Sequence, residues 1–577
     1  VTSAGGRMRT WTAALTPFQI TGTLLALLLG ALAVYPLALV VIRPFFTGGR
    51  LDLAPVRDML AQPDLVTLLW HTAVVVGASG VAAMVIGSGL AWLNERTDAR
   101  MGLLTDVVPL VPFLLPPIAG AIGWSLLASE RSGYLNLALR PLLGIEGARG
   151  PIDIHSWYGI IFVYTIYQVP YVFMIVSAGL RNTDPAMEEQ SRTSGAGPFR
   201  TLRRVSLPAV RPSLGAAALL MVWTGFGLFS IPAILAPQAG LDILSVRVVQ
   251  LLSFTYPPET GVAVSLNLVV MLVVTLVWYA QTRMLRSSRN AGIGGKGARP
   301  RPIRLGRSRT PIRALIVAYL ALTSILPLGG LALVSLTGYW SNSVDWTRLN
   351  LDAVVRTLTD TVTQEALVNS LMLGVAGATV GVLAAAVVSV LVRRSGRGTG
   401  MLVDATIKFP PTLSHLVIAV GFVLAFSGAP FHLGGTLWIL LLAYVSLHMP
   451  QATTASDAAI SQVAPELTDA SRVSGAGQAR TFRRVTLPLM APGLLAGWAL
   501  LFVTIAGDIS ASAILAGTGN EVVGFRILEV FANGDYAMLG AISIMLTLAT
   551  SLVVLPVTWY ARRRGRGGSS PFPGAHP

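Results

Sequence analysis

Ser191–Pro212 reads SRTSGAGPFRTLRRVSLPAVRP, and Ser471–Pro492 reads SRVSGAGQARTFRRVTLPLMAP. The two stretches lie 280 residues apart and align without a gap. Both are arginine-rich and broken by Gly-Ala-Gly, in a chain that is otherwise apolar. Its 577 residues are 53% hydrophobic and only 12% charged, where soluble domains carry roughly 25% charged residues. Apolar runs of about 20 residues recur, each long enough to cross a bilayer core as a helix. Ile20–Ile42 is one, and Leu266–Tyr279 with its flanks is another. A β-barrel would show segments of roughly 10 residues in strict alternation. The composition therefore predicts an all-α polytopic membrane protein.

Twelve spans are expected, at 20–42, 66–93, 103–129, 156–180, 213–235, 261–282, 313–337, 368–392, 401–427, 435–460, 493–516 and 538–561. Arginine placement orients them, because cytoplasmic loops collect Lys and Arg. Arg7 and Arg9 precede the first span, and Arg562, Arg563, Arg564 and Arg566 follow the last. Ten basic residues from Arg283 to Arg313 lie between spans six and seven, with no acid among them. Both termini and this connection are thus expected in the cytoplasm. The division that follows is a first repeat (1–282), a basic linker (283–312), a second repeat (313–561) and a tail (562–577). The linker is rich in Gly, Arg and Pro and is expected to be a solvated tether. The first span imitates a secretory signal, ending in Ala31-Leu32-Ala33. Its apolar run continues to Ile42, beyond the 7–15 residues of a cleaved signal, so an uncleaved span is expected. The net charge of +16 is spread over loops, which argues for membrane topology and against nucleic acid. There are no cysteines, which excludes disulfides and thiolate metal sites.

Each motif copy follows the fourth span of its half. The halves are offset by six spans, an even number, so they form parallel repeats related by an axis along the membrane normal. Upstream at the same spacing, Tyr164 matches Tyr444, Pro170 matches Pro450, and Gln168 falls opposite His448. Downstream, Ile234-Leu235-Ala236 matches Ile514-Leu515-Ala516. Duplication explains why there are two copies; it does not explain why the polar loop stayed alike while the outer spans diverged.

The loop has a readable shape. Pro185 favours the start of a short helix through Ala186-Met187-Glu188-Glu189-Gln190. Gly195-Ala196-Gly197 breaks it, since glycine readily takes positive φ. A second basic segment follows from Arg200 to Arg204, and Leu207-Pro208 is expected to end it. The second copy repeats this with Pro465, Glu466, Asp469, Gly475-Ala476-Gly477, Arg480 to Arg484 and Leu487-Pro488. A helix, a sharp turn and a second element make a stiff projection suited to a groove on another protein. Contact with membrane lipid head groups alone would need the charge but not the turn.

The pattern Glu189-Gln190-Ser191, three residues, Gly195, nine residues, Val205-x-Leu207-Pro208 resembles the EAA loop of permease subunits in bacterial ATP-binding-cassette importers. The family pattern is Glu-Ala-Ala, three residues, Gly, nine residues, Ile-x-Leu-Pro. Asp469-Ala470-Ser471, Gly475 and Val485-x-Leu487-Pro488 match it again. Gln190 and Ser191 replace alanines, and Asp469 replaces the glutamate. The resemblance covers nearly the whole chain, which looks like two permease subunits fused, with the MetI-like permease fold. It implies coupling helices that seat in clefts of two cytoplasmic ATPase copies. One loop would use Glu189, Ser191, Gly195, Ala196, Gly197, Arg203, Arg204, Leu207 and Pro208. The other would use Asp469, Ser471, Gly475, Ala476, Gly477, Arg483, Arg484, Leu487 and Pro488. It also implies a periplasmic or lipid-anchored substrate-binding protein and a bacterial inner-membrane location. Gly294-Gly295-Lys296-Gly297 lacks the spacing and the Ser or Thr of a phosphate loop. The chain is thus expected to bind no cofactor and to catalyse nothing; ATP and Mg belong on the partner ATPase.

Asp508 is the sharpest intramembrane charge, and such a charge is a functional hypothesis by default; pairing with backbone or a neighbouring helix is the plainer reading. His448 and Gln168 precede prolines in the fourth spans. Tyr164 and Tyr444 either line the seam between the halves or pack within it. These five are the candidate transport-path residues, and no metal site is expected. Pro116-Pro117 and Pro410-Pro411 are expected to bend the third span of each half. Gly133-Tyr134-Leu135-Asn136, Ser156-Trp157-Tyr158-Gly159-Ile160-Ile161 and Ile231-Pro232-Ala233-Ile234-Leu235 resemble the fused iron(III) permeases; thiamine, phosphonate and polyamine permeases share much of this. A major-facilitator-type secondary transporter also has twelve spans in parallel halves. Its signature loop would follow the second span, where Asn94–Arg100 is short and lacks the pattern.

Overall fold

The computed structural model describes residues 17–47, 49–101, 112–181, 183–286, 302–341, 343–394, 403, 406, 415–461, 463–517 and 519–566. Among them, regular structure is helical apart from a small hairpin, Phe46–Thr47 with Arg50–Leu51, and one isolated bridge between Thr97 and Ile303. Among the described residues, eight helices are long and apolar enough to cross a membrane. They are Pro17–Phe45, Leu65–Arg96, Trp157–Arg181, Thr260–Val277, Gly306–Thr337, Thr361–Arg393, Gln478–Ala506 and Tyr536–Ala561. A ninth is added if Pro198–Ala209 and Arg211–Gly227, which meet at 74°, count as one span. The other expected spans are shorter or more polar helices: Pro117–Ala128, His415–Phe426 and Leu437–Ser461. Residues 102–111 and 407–414, including Pro410-Pro411, lie outside the described residues. Pro117 starts its helix with Pro116 as N-cap, so this pair begins a described helix, and most of the expected span before it lies outside the described residues. Pro has no N–H to lose at that position.

The fifth and eleventh spans are not continuous helices as expected. The first-half helix stops at Gly227 and resumes at Ser230. Pro232 has no N–H to give the carbonyl four residues back. That carbonyl, on Leu228, instead accepts the Tyr164 hydroxyl at 3.2 Å and the Ser245 hydroxyl at 3.0 Å. In the second half the helix stops at Ala506 and resumes at Ser512. There the Ser512 hydroxyl donates to the Asp508 carbonyl at 2.8 Å.

Corresponding ends of the two halves are built alike. The helix Leu65–Arg96 starts after Asp64, which pairs with Arg247. The helix starting at Thr361 follows Asp360, which pairs with Arg526 at 2.9 Å. Hydroxyls on these helices cap the short helices carrying the arginines. Leu244 N–H donates to Thr72 at 2.9 Å, and Val523 N–H donates to Ser370 at 2.8 Å.

Each half sends its first helix across to the other half. Pro17–Ile42 packs on His415–Phe426, and Leu326–Thr337 packs on Pro117–Ala128. Glycines make the close approach possible at both crossings. A Cβ on Gly421 would fall 2.7 Å from the Pro36 carbonyl oxygen, and one on Gly123 would fall 2.6 Å from that of Pro327. One large apolar core accordingly runs through both halves.

The linker differs from the expected tether at its end. The sixth helix continues to Arg286. Residues 302–313 are docked on the first half: Ile303 exchanges backbone hydrogen bonds with Arg96 and Asp98, at 2.8 and 3.1 Å.

Candidate functional site

Both coupling-loop candidates fold as a helix, a left-handed glycine and a second helix. The first helices are Pro185–Thr193 and Pro465–Val473. Gly195 and Gly475 each have φ +82°, a conformation that costs other residues roughly 1–2 kcal/mol. The helix ends are closed identically, Ala196 N–H to Ser191 O and Ala476 N–H to Ser471 O, both at 3.1 Å. This is the six-to-one bond of a Schellman cap. Ser191 meets Thr201 at 3.1 Å and Ser471 meets Thr481 at 3.0 Å, hydroxyl to hydroxyl. The two serines that replace alanines therefore lock the helices across the turn. Gly197 and Gly477 are extended and start the second helices.

Leu207-Pro208 and Leu487-Pro488 do not end the second element. A single π-turn, Leu202–Ser206 or Phe482–Thr486, carries the helix onward, and each proline falls in the first turn after it. A π-turn widens the helix by one residue and often marks functional sites. Arg203, Arg204, Arg483 and Arg484 are exposed on it. Asp469 is exposed and Glu189 half-buried. The buried acid is the neighbouring Glu188, which receives Arg96 at 3.1 Å and the Ser206 hydroxyl at 2.8 Å. The sequence held no signal for Arg96, which lies 92 residues away from Glu188.

A cavity of about 140 Å³ lies between the halves, room for several waters. Gln168, His448 and Asp508 all line it, together with His415, Tyr167 and Gln451, which sequence reasoning missed. Gln168 and His448 are each the twelfth residue of a 25-residue helix, so both lie midway along their helices. The Gln168 amide oxygen and nitrogen and the His448 Nε2 are buried with no partner among the described residues. His448 Nδ1 lies 2.9 Å from Gln451 Oε1, and its ring meets His415 edge-on at 5.8 Å. Buried polar groups left unpaired cost about 1–3 kcal/mol each, so these suit a passage filled by water or cargo.

Asp508 has a structural task as well. Its Oδ2 accepts the Ala511 and Ser512 N–H groups at 2.9 and 3.3 Å, capping the short helix after the break. Tyr164 and Tyr444 do not line the cavity. Tyr164 bonds Leu228 and Tyr444 bonds Ser512, so each supports the break in the helix behind the wall. Among the described residues, no three His, Cys, Asp or Glu side chains could hold a metal ion.

The sequence profile of the binding-protein-dependent transport system inner membrane component matches residues 83–289 and again 377–566. The ferric transport system permease protein FbpB of Actinobacillus pleuropneumoniae is 23% identical over 94% of this chain and 78% of its own length. The probable ABC transporter permease protein y4fN of Sinorhizobium fredii is 26% identical, over 88% of this chain and 90% of its own. The Fe(3+)-transport system permease protein FbpB 2 of Haemophilus influenzae is 22% identical, over 94% and 99%. These findings set aside the major-facilitator reading. Two copies of one membrane module, joined through crossed helices around a central cavity, place the chain in the family of binding-protein-dependent transport system inner membrane components: it is a multi-pass inner-membrane permease of an ATP-binding-cassette importer, a transporter component and not an enzyme.

Proposed function

We propose that this permease carries iron(III), that loops 185–208 and 465–488 each seat in a cleft of one ATPase copy, and that the central cavity is part of the passage. A periplasmic or lipid-anchored binding protein delivers the cargo to the outer face, and both termini lie in the cytoplasm. ATP and Mg are held by the ATPase. Nucleotide binding draws the two ATPase copies together, the loops carry that motion to the helices, and the cavity turns from inward-open to outward-open. The observation that carries this reading is the matched geometry of the loops, down to equal glycine φ values and equal cap bonds. Such stiffness transmits force; a flexible loop would absorb it. The cargo rests on two relatives named as ferric permeases that align along 94% of the chain.

The test is reconstitution with an ATPase and a binding protein in lipid vesicles. ATP should drive accumulation of radiolabelled iron(III), and unlabelled thiamine, phosphonate or spermidine should not compete. Accumulation of one of these with iron left outside would replace the cargo. Uptake driven by an ion gradient with no ATPase present would refute the coupling.

A further inference from the structure

The two loops share a shape but not a foundation. Arg96 is the last residue of the helix Leu65–Arg96 and is 3% exposed. Its guanidinium donates from Nε to Glu188 at 3.1 Å, and from Nη2 to the Leu180 carbonyl and the Thr183 hydroxyl, both at 2.7 Å. Glu188 in turn accepts the Ser206 hydroxyl. One buried cation thus ties together two spanning helices, the first coupling helix and the π-turn. Asp184 adds a side-chain cap to that helix through the Ala186 N–H at 2.9 Å.

The linker end lies directly on this knot. Beyond the Ile303 bonds to Arg96 and Asp98, the Leu305 N–H donates to Asp98 Oδ1 at 3.0 Å. The Arg313 guanidinium donates to the carbonyls of Asp98, Ala99 and Arg100, at 3.3, 3.2 and 3.1 Å. Ile316 is buried in the apolar cluster that holds Leu90, Val176, Leu180 and Val210.

At the second loop the corresponding residues differ. Ala464 stands where Asp184 caps, and gives no cap bond. Thr468 stands where Glu188 pairs, and its hydroxyl donates to the nearby Pro465 carbonyl at 2.7 Å. Thr486 stands at Ser206, and its buried hydroxyl has no partner among the described residues. The loop meets the first helix through the Phe18 and Phe482 rings, 5.3 Å apart, a contact with no charge and little directionality. The helix leaving the first loop bends by 74° at Val210, while Gln478–Ala506 runs on as one helix.

We propose that Arg96 is a positioning residue that anchors the first loop, that residues 302–313 clasp it there, and that the second loop is the one free to travel. Displacing the first loop would strand a buried charge, which is strongly unfavourable; among the described residues no buried ion pair holds the second. The functional meaning rests on the coupling reading above, but the asymmetry itself can be measured without an ATPase.

Hydrogen exchange of the full chain in lipid nanodiscs reads it. Amides at 188–194 should exchange more slowly than those at 468–474. Arg96→Gln should speed exchange at 188–194 by roughly 10²-fold and leave 468–474 unchanged. Adding Glu188→Gln to Arg96→Gln should restore most of the protection, since no charge is then stranded. Equal protection of the two loops in the unaltered chain, equal acceleration of both by Arg96→Gln, or an additive loss in the double variant would each overturn the proposal. If Arg96→Gln does not fold, Asp98→Ala on the half-buried clasp residue must speed exchange at 188–194 alone; no change there overturns it equally. In the full importer, Asp98→Ala should raise the ATP hydrolysed per cargo molecule. A normal ratio, with uncoupling by Gly475→Leu intact, would sink the anchor while sparing the coupling reading.

Discussion

A single backbone angle decides whether each coupling loop turns. An added Cβ at Gly195 or Gly475 meets nothing within 4 Å, so a side chain there costs only the backbone strain, about 1–2 kcal/mol. Gly475→Leu should therefore leave the protein folded in the membrane while misdirecting the turn. Its expected result is ATP hydrolysis that continues with uptake reduced several-fold, read by assaying both in the same vesicles. Asp508 separates charge from hydrogen bonding. Asp508→Asn keeps an oxygen that can accept from Ala511 and Ser512, and should keep both melting temperature and uptake near those of the parent. Asp508→Ala leaves two buried N–H groups unpaired and should destabilise by about 1–3 kcal/mol, seen as a lower melting temperature. A normal Asp508→Ala melt together with lost Asp508→Asn uptake would make the carboxylate's charge the essential feature instead. At this scale the glycines were legible in the sequence, because positive φ is a property of the residue itself. Arg96 was not, because its role exists only once distant helices meet.

Between elements, close approach is the controlling quantity. Gly123→Val and Gly421→Val would each drive a Cβ into a proline carbonyl of the crossing helix. Backbone cannot rotate away as a side chain can, so each should cost about 1–3 kcal/mol and weaken cysteine crosslinking engineered across that crossing. At the start of the helix that follows Asp360, burial by itself would raise the Asp360 carboxyl, but hydrogen bonds from Thr363 and the Arg526 guanidinium hold it below the ordinary carboxylate value. A depressed value means the clamp stabilises above the unfolded carboxylate pKa, roughly 4, and is lost as pH falls below it. The melting difference between the parent and Asp360→Asn should stay constant from pH 5 to 8 and shrink only in stronger acid. Most helices were legible as apolar runs. The breaks at 228–229 and 507–511 were not, because hydropathy averages over a window and does not see that Pro232 frees one carbonyl. The end of the linker was misread for the opposite reason. Its Gly, Arg and Pro content cannot build a core, yet residues 302–313 need none, since the loop after the second helix supplies their hydrogen bonds.

For the whole molecule, the crossed first helices mean that neither half buries its own surface alone. The linker holds the halves in one chain, but the helix packing holds them in one structure. A chain cut within residues 287–300 and produced as two fragments should still yield a complex that purifies together, through Pro17–Ile42 on His415–Phe426 and Leu326–Thr337 on Pro117–Ala128. Fragments that separate in mild detergent would show that the covalent link, and not the packing, keeps the halves together.

Composition, the spacing of apolar runs and the repeated glycine-broken motif determined by themselves that this is a helical membrane protein of two parallel modules with paired projections. Those properties are local: span length, turn geometry and charge bias need no knowledge of the partner helix. Only the tertiary structure decided that Gln168, His448, His415 and Asp508 share one cavity, that Tyr164 and Tyr444 stand behind its wall, and that one projection is anchored by a buried ion pair. Each of these depends on side chains far apart in the chain being brought within hydrogen-bonding or packing distance, and single-residue preferences do not encode that meeting.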